Sequence, residues 1–277
     1  MLAETAYGKS RVRLVKVARH GDRHDLTDLA VAIRFEGDYD TSYTDGDNSG
    51  VLPTDTMKNT VYALAATGEA EEPEVFGMRL ASHFRQRNPR LRRVRIDISA
   101  HPWGRIAIGG REQGQAFIRQ GSETRTSTVE MDATKHTIGA GVTDLTILKS
   151  SRSAFAGFLR DEYTTLPDTA DRLLATSLTA TWRYADAEVH FGPAWRAIRT
   201  TLVETFAQHD SKSVQHTLHE MARAVLDSVA PVTAIRLVMP NKHHLPVDLA
   251  RLGLENRNEV FVPTDEPYGL IEATLVR

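Results

Sequence analysis

The 277-residue sequence predicts an α+β fold of two tandem domains, 1–134 and 135–277, each an antiparallel sheet with two helices on one face. Three observations lead there. Alternating and helical apolar spacings succeed one another in the order strand, strand, helix, helix, strand, strand, and that order returns in the second half. The chain is longer than one ordinary domain and fits two. Several strands are two-sided, as in Leu14-Val15 beside Lys16-Val17, so the sheet face away from the helices calls for cover by another subunit.

Residues Ser10 to Arg19 read as a strand, Gly21-Asp22 as a turn, and Leu26 to Phe35 as the hairpin partner, with Val31, Ile33 and Phe35 on one face. A polar loop from Gly37 to Gly50 leads to Pro53-Thr54-Asp55. There Thr54 or Asp55 is expected to cap a helix bearing Met57, Val61 and Leu64 and stopped at Gly68. A second helix opens at Pro73, carries Phe76, Leu80 and Phe84 one turn apart, and ends at Asn88-Pro89. Val94, Ile96 and Ile98 then alternate with Arg93, Arg95 and Asp97 in a strand, and Ser122 to Met131 gives another. The stretch from about Arg90 to Gly121 offers no recognisable motif.

In the second half, strands Thr137 to Lys149 and Thr176 to Tyr184 precede two helices. The first opens near Gly192-Pro193 with Trp195, Ile198, Leu202 and Phe206, the second near Ser213 with Val214, Leu218, Met221 and Val225. Strands Ala234 to Met239 and Gly269 to Val276 close the unit. Residue identities barely match between the halves, so the repeat rests on element order.

Apolar residues make up 41% and charged ones 25%, the balance of a globular chain with a core. A formal charge of −2 gives no global pull toward nucleic acid or an anionic membrane, and neither is expected as a partner. With no cysteine, disulfides, thiolate metal sites and a cysteine nucleophile are excluded. The N-terminus lacks an apolar signal region, no apolar run approaches a membrane span, and the C-terminal Thr-Leu-Val-Arg is not a peroxisomal address, so the expected location is cytoplasmic. Six arginines between Arg85 and Arg95 suggest a solvated or interface face, with phosphate binding the alternative. Neither His243-His244 nor His216 with His219 suits a metal: strand neighbours face opposite ways, and the helical pair lacks a third ligand in any recognised motif.

The stretch from Leu145 to Arg172 organises the chain. Its strand, Leu145 and Ile147 alternating with Thr146 and Leu148, gives way to a Ser/Arg/Ser turn and then to Phe155, Phe158 and Tyr163. An aromatic shelf followed by Arg172 can hold a flat polar molecule, stacked on a ring and gripped at its edge by a guanidinium fork. Aromatics at such spacings also serve as core.

The run from Leu148-Lys149-Ser150-Ser151 through Ser153, Phe155, Phe158, Tyr163 and Leu166 to Arg172 resembles the signature of the urate oxidase (uricase) family. Tyr7-Gly8-Lys9, Thr54-Asp55-Thr56 with Lys58-Asn59-Thr60-Val61-Tyr62, and Asn241-Lys242-His243 agree with it in order, so the resemblance spans nearly the whole chain. Ile147, where the family has Leu or Val, is a conservative departure. The resemblance implies two tunnelling-fold (T-fold) domains per chain, with four chains closing their sheets into a barrel-like tunnel. It also implies oxidation of urate by O2 to 5-hydroxyisourate and hydrogen peroxide, in purine degradation, with no metal or organic cofactor.

Carried over residue by residue, the resemblance makes Lys9, Thr54 and His243 the proton-handling set. Thr54, Asp55, Phe155, Arg172, Val214, Gln215, Asn241 and Ile271 become the substrate contacts, with Thr54 and Asn241 at the site for O2 or water. Phe155 would stack on the purine, Arg172 and Gln215 would bind its edge, Asp55 and Val214 would offer backbone N–H groups, and Ile271 would be an apolar wall. The family draws the two sets from different subunits of a homotetramer, which would place active sites at subunit interfaces. A purine- or pterin-binding protein of the same fold, with another heterocyclic substrate or no catalysis, is the alternative.

Overall fold

Alternating side chains build a long hairpin from β1 (Ala6–His20) and β2 (Arg23–Gly37), turned at Gly21, whose φ of 61° suits glycine. The computed structural model describes residues 2–68 and 72–277. After the hairpin come α1 (Asp40–Thr44), α2 (Thr54–Thr67), α3 (Pro73–Arg87), β3 (Leu91–His101), β4 (Trp103–Ile108), β5 (Arg111–Arg119) and β6 (Thr124–Met131). The second half has β7 (His136–Lys149), β8 (Leu174–Tyr184), α4 (Phe191–Gln208), α5 (Val214–Ser228), β9 (Val232–Pro246) and β10 (Phe261–Val276). The chain divides into two units: the first runs to Gly141 and takes in Arg183–Gly192, and the second holds Val142–Trp182 and Pro193–Arg277.

In the first unit the strands lie in the order β1-β2-β3-β6, with α2 packed on β1 and α3 on β3 and β6. Val31, Phe35, Met57, Val61, Leu80, Phe84, Val94 and Ile96 fill the layer between, each at most 1% exposed. The second unit repeats the plan with β7-β8-β9-β10, α5 packing on β9 and β10, and a core of Leu174, Leu178, Ile198, Leu202, Leu218, Met221 and Leu237. This is the predicted α+β architecture, with each sheet open and not closed on itself.

The repeat runs deeper than element order. In the first unit Lys16 of β1 donates to the carbonyls of Ala65 (2.7 Å) and Gly68 at the end of α2. In the second, Lys149 of β7 donates to those of Phe206 and His209 at the end of α4. An ammonium satisfies orphan carbonyls and sits well at the negative end of the helix dipole, so the first strand of each unit anchors the end of a helix in that unit.

Several elements differ from expectation. The loop between Gly37 and Gly50 contains α1, and the motif-free stretch contains the β4–β5 hairpin, turned at Gly109 and Gly110 with φ of 57° and 78°. Strand β9 continues past Met239 because Pro240 pairs with Leu270 and does not end the strand. Neither Thr54 nor Asp55 caps α2. Pro53 takes the N-cap position at φ −56°, ψ 139° with no side-chain cap, and Thr54 is the first helical residue.

The arginine run is largely consumed by neighbours. Arg93 pairs with Glu36 (3.3 Å), Arg95 with Asp97 (2.8 Å) and Glu130 (2.9 Å), Arg92 with Asp38 (3.5 Å), and Arg85 donates to the carbonyls of Leu91 and Arg92. These pairs leave it little capacity for phosphate. Among the described residues, no helix is long and apolar enough to cross a membrane.

Candidate active site

In the second unit the chain after β7 is stitched into place by backbone bonds. Phe155 exchanges hydrogen bonds with Thr169 (2.8 and 2.9 Å), Ala154 N–H donates to Ser211 C=O (2.8 Å), and Ser211 N–H to Arg152 C=O (3.0 Å). Ser153 N–H donates to the Asp171 carboxylate (3.0 Å). Phe155, Arg172 and the start of α5 are thereby held by one short network.

The guanidinium of Arg172 lies 5.2 Å from the centroid of the Phe155 ring, which itself stacks on Phe158 at 4.8 Å and 11°. Arg172 is half-buried, and its Nε is buried with no hydrogen-bond partner. No carboxylate pairs with it among the described residues, and burial alone lowers its pKa. A desolvated cation with unspent donors is costly without an anion, so the arrangement favours an anionic ligand.

Beside it, Ser213 caps α5 by accepting the His216 N–H (3.1 Å), and the first helical bond runs from Thr217 N–H to Ser213 C=O (3.1 Å). The N–H groups of Val214 and Gln215 therefore have no acceptor within the helix and sit at its positive end. Val214 buries its side chain at 3% exposure, whereas Gln215 is exposed.

Farther along this unit, Asn241 of β9, 8% exposed, pairs with Gly269, while His243 pairs with Thr264. The β10 residues between Thr264 and Gly269 bulge out opposite Lys242, which leaves Asn241 and His243, two apart, on one face of β9. A Cβ built on Gly269 would lie 3.5 Å from Ile271 Cδ1 and 3.8 Å from Asn241 Cβ, so these two side chains flank the glycine.

The first unit carries the other set. Lys9, half-buried on β1, pairs with Ile33, and the register then slips before Val12 with Arg11 at φ 55°, so Lys9 is the last paired residue before a bulge. In α2 the first helical bond runs from Met57 N–H to Pro53 C=O, which frees the N–H groups of Thr54 and Asp55. The Asp55 carboxylate accepts from Lys58 and from Asn59 (2.9 Å), and its pKa is depressed, first by Lys58 and also by the nearby charge of Lys9. The side chain is thus occupied and the backbone N–H is what remains to offer.

Lys9, Thr54 and Asp55 therefore cluster in the first unit, and Phe155, Arg172, Val214 and Gln215 in the second, with Asn241, His243 and Ile271 on the paired strands β9 and β10. Sequence reasoning missed the supporting residues Thr169 and Asp171, which carry no local signal, and named Ser213 only as the place where the helix opens, where it is the N-cap. His216 turns its ring to His209, centroids 4.5 Å apart, while His219 contacts Glu220 (3.2 Å). No three His, Asp or Glu side chains among the described residues gather into a group that could hold a metal ion.

In the second unit a ring, an unpaired guanidinium and the open N-terminus of α5 make up chemistry suited to a planar anion. A family model described as Uricase matches residues 5–130 and 138–272. The uricase of Arthrobacter globiformis is 44% identical over 277 residues, spanning 100% of this chain and 90% of its own, and that of Danio rerio is 37% identical over 99% and 94%. The crystal structure of the Arthrobacter globiformis protein superposes with a TM-score of 0.96 over 100% of this chain and 95% of that one. The urate oxidase of Bacillus sp. TB-90, 25% identical, gives 0.86 over 99% and 100%. The chain belongs to the uricase family.

Proposed function

We propose that this protein oxidises urate with O2 and water to 5-hydroxyisourate and hydrogen peroxide, using no metal or organic cofactor. Urate gives up two electrons, O2 takes them and leaves as peroxide, and water supplies the hydroxyl added to the purine. The observation that carries the reading is Arg172, a half-buried guanidinium without a carboxylate, set at the Phe155 ring. Phe155 stacks on the purine, an interaction worth about 1–3 kcal/mol for base-like rings. Arg172 and Gln215 bind one edge, the N–H groups of Val214 and Asp55 complete the grip, and Ile271 walls the site.

Lys9, Thr54 and His243 move protons between urate, water and peroxide, and Thr54 with Asn241 orients the O2 or water. The active protein is a homotetramer in the cytoplasm, formed of T-fold domains 1–134 and 135–277, with Lys9, Thr54 and Asp55 meeting the second set across a subunit interface. Exposed apolar side chains on the strands, such as Val15, Leu148 and Leu270, support burial against other subunits.

The test is loss of urate's near-ultraviolet absorbance in air with EDTA present and peroxide measured in parallel. Urate loss with matching peroxide is expected. No loss in folded, tetrameric protein would overturn the reading and leave a purine-binding protein.

A further inference from the structure

Tyr7 opens the Tyr7-Gly8-Lys9 segment, yet none of the roles assigned above uses it. Its hydroxyl oxygen accepts the backbone N–H of Leu52 at 3.0 Å, across 45 residues of sequence. Leu52 is two residues from Thr54, with only Pro53 between, and the proline ring fixes φ there at −56°. Two residues the other way along β1 stands Lys9. One phenol thus links the strand carrying the lysine to the turn carrying the threonine.

The ring is held as firmly as the hydroxyl. It meets Phe35 edge-on at 5.7 Å and Tyr39 at 4.8 Å, and both of those rings are buried at 0 and 2% exposure. Gly8 presses the same strand against β2, since a Cβ there would fall 1.9 Å from the Ile33 carbonyl oxygen. Tyr7 and Lys9 are two apart, so they leave β1 on one face. Lys9 is the last residue of this segment paired with β2, and the bulge begins directly after it, so the strand can bend there.

We propose that Tyr7 is a positioning residue for the Lys9–Thr54 pair, setting their separation through its bond to Leu52 N–H. The proposal rests on the urate oxidase reading. It requires that the hydroxyl matter more for turnover than for holding the purine, because only Thr54 and the Asp55 N–H lie on this segment while the ring, guanidinium and α5 contacts lie on other elements.

The test is Tyr7→Phe, which removes one oxygen and leaves the ring packing. Wild-type protein is assayed first: absence of urate turnover there overturns the functional reading, not this inference. With wild type active, kcat of Tyr7→Phe is expected to fall about tenfold or more, as for other small displacements of reacting groups, while KM and xanthine affinity stay within about twofold. Tyr43→Phe is the control, because Tyr43 makes a comparable phenol bond to the Ala6 carbonyl (3.1 Å) at the exposed surface and should leave kcat unchanged. Wild-type kcat in Tyr7→Phe overturns the proposal. So does an equal loss in Tyr43→Phe, or a loss of xanthine binding parallel to kcat, either of which marks a general structural effect.

Discussion

Arg172→Met should weaken ligand binding while leaving the unliganded protein as stable or more so. Methionine keeps the apolar stem and removes only the guanidinium. A charge-assisted hydrogen bond contributes about 1.5–3 kcal/mol, so affinity for anionic xanthine, a purine lacking one of urate's carbonyls, should drop about 10- to 150-fold. Without ligand the balance reverses. A buried donor with no partner, as at Arg172 Nε, costs about 1–3 kcal/mol, whereas the contact with the Phe155 ring returns about 0.5–1 kcal/mol. The net is a stabilisation of about 1 kcal/mol, or a melting temperature about 2–4 °C higher for a chain of this size. Calorimetric melting of the unliganded protein, at matched concentration, and titration with xanthine measure the two effects separately. A lower melting temperature together with undiminished binding would refute the reasoning and make Arg172 a structural cation.

Lys9→Ala should abolish urate turnover yet retain xanthine binding, measured by stopped assay and calorimetric titration; near-wild-type turnover would remove Lys9 from the proton path. Gly8→Ala should lower the melting temperature by several degrees and impair turnover, because the new Cβ would stand 1.9 Å from the Ile33 carbonyl oxygen and the β1–β2 pairing must move. Burial, then the charges of His216 and Lys149, hold the His209 pKa below its ordinary 6.5, so the unfolded chain binds more protons there and stability rises with pH. Melting temperature should therefore fall as pH drops from 6.5 toward the folded-state pKa, and His209→Gln should flatten that slope; an unchanged slope would place the sensitivity elsewhere.

The elements that could be read from sequence are those whose apolar period is unbroken. Helix α5 keeps Val214, Leu218, Met221 and Val225 on one buried face, and β3 keeps Val94, Ile96 and Ile98 inward against Arg93, Arg95 and Asp97. The β4–β5 hairpin lacked such a pattern because it lies outside the main sheet: Ile106, Ile108 and Ile118 are exposed, so neither face had to be apolar. The ends of β9 and β10 were hidden by Pro240, Pro263 and Pro267, which signal strand ends locally. The partner strand overrode that signal by pairing Pro240 with Leu270 and Pro263 with His244.

The candidate site was less legible than the core for a related reason. Two of its proposed contacts, Asp55 and Val214, would act through backbone groups at the starts of α2 and α5, so the side chains at those positions are free to do other work. Asp55 spends its carboxylate on Lys58 and Asn59, and Val214 packs inward at 3% exposure. A valine in a helical period looks like core because it is core, and its N–H is available only because it stands in the first turn. What chemistry alone made visible was Arg172 following an aromatic cluster, since a guanidinium beside rings can hold a flat polar molecule. What supplies its geometry, the Phe155–Thr169 bridge, the Asp171 bond with Ser153 N–H and the bonds of Ala154 and Arg152 to Ser211, depends on contacts 14 to 59 residues apart around a segment without regular periodicity.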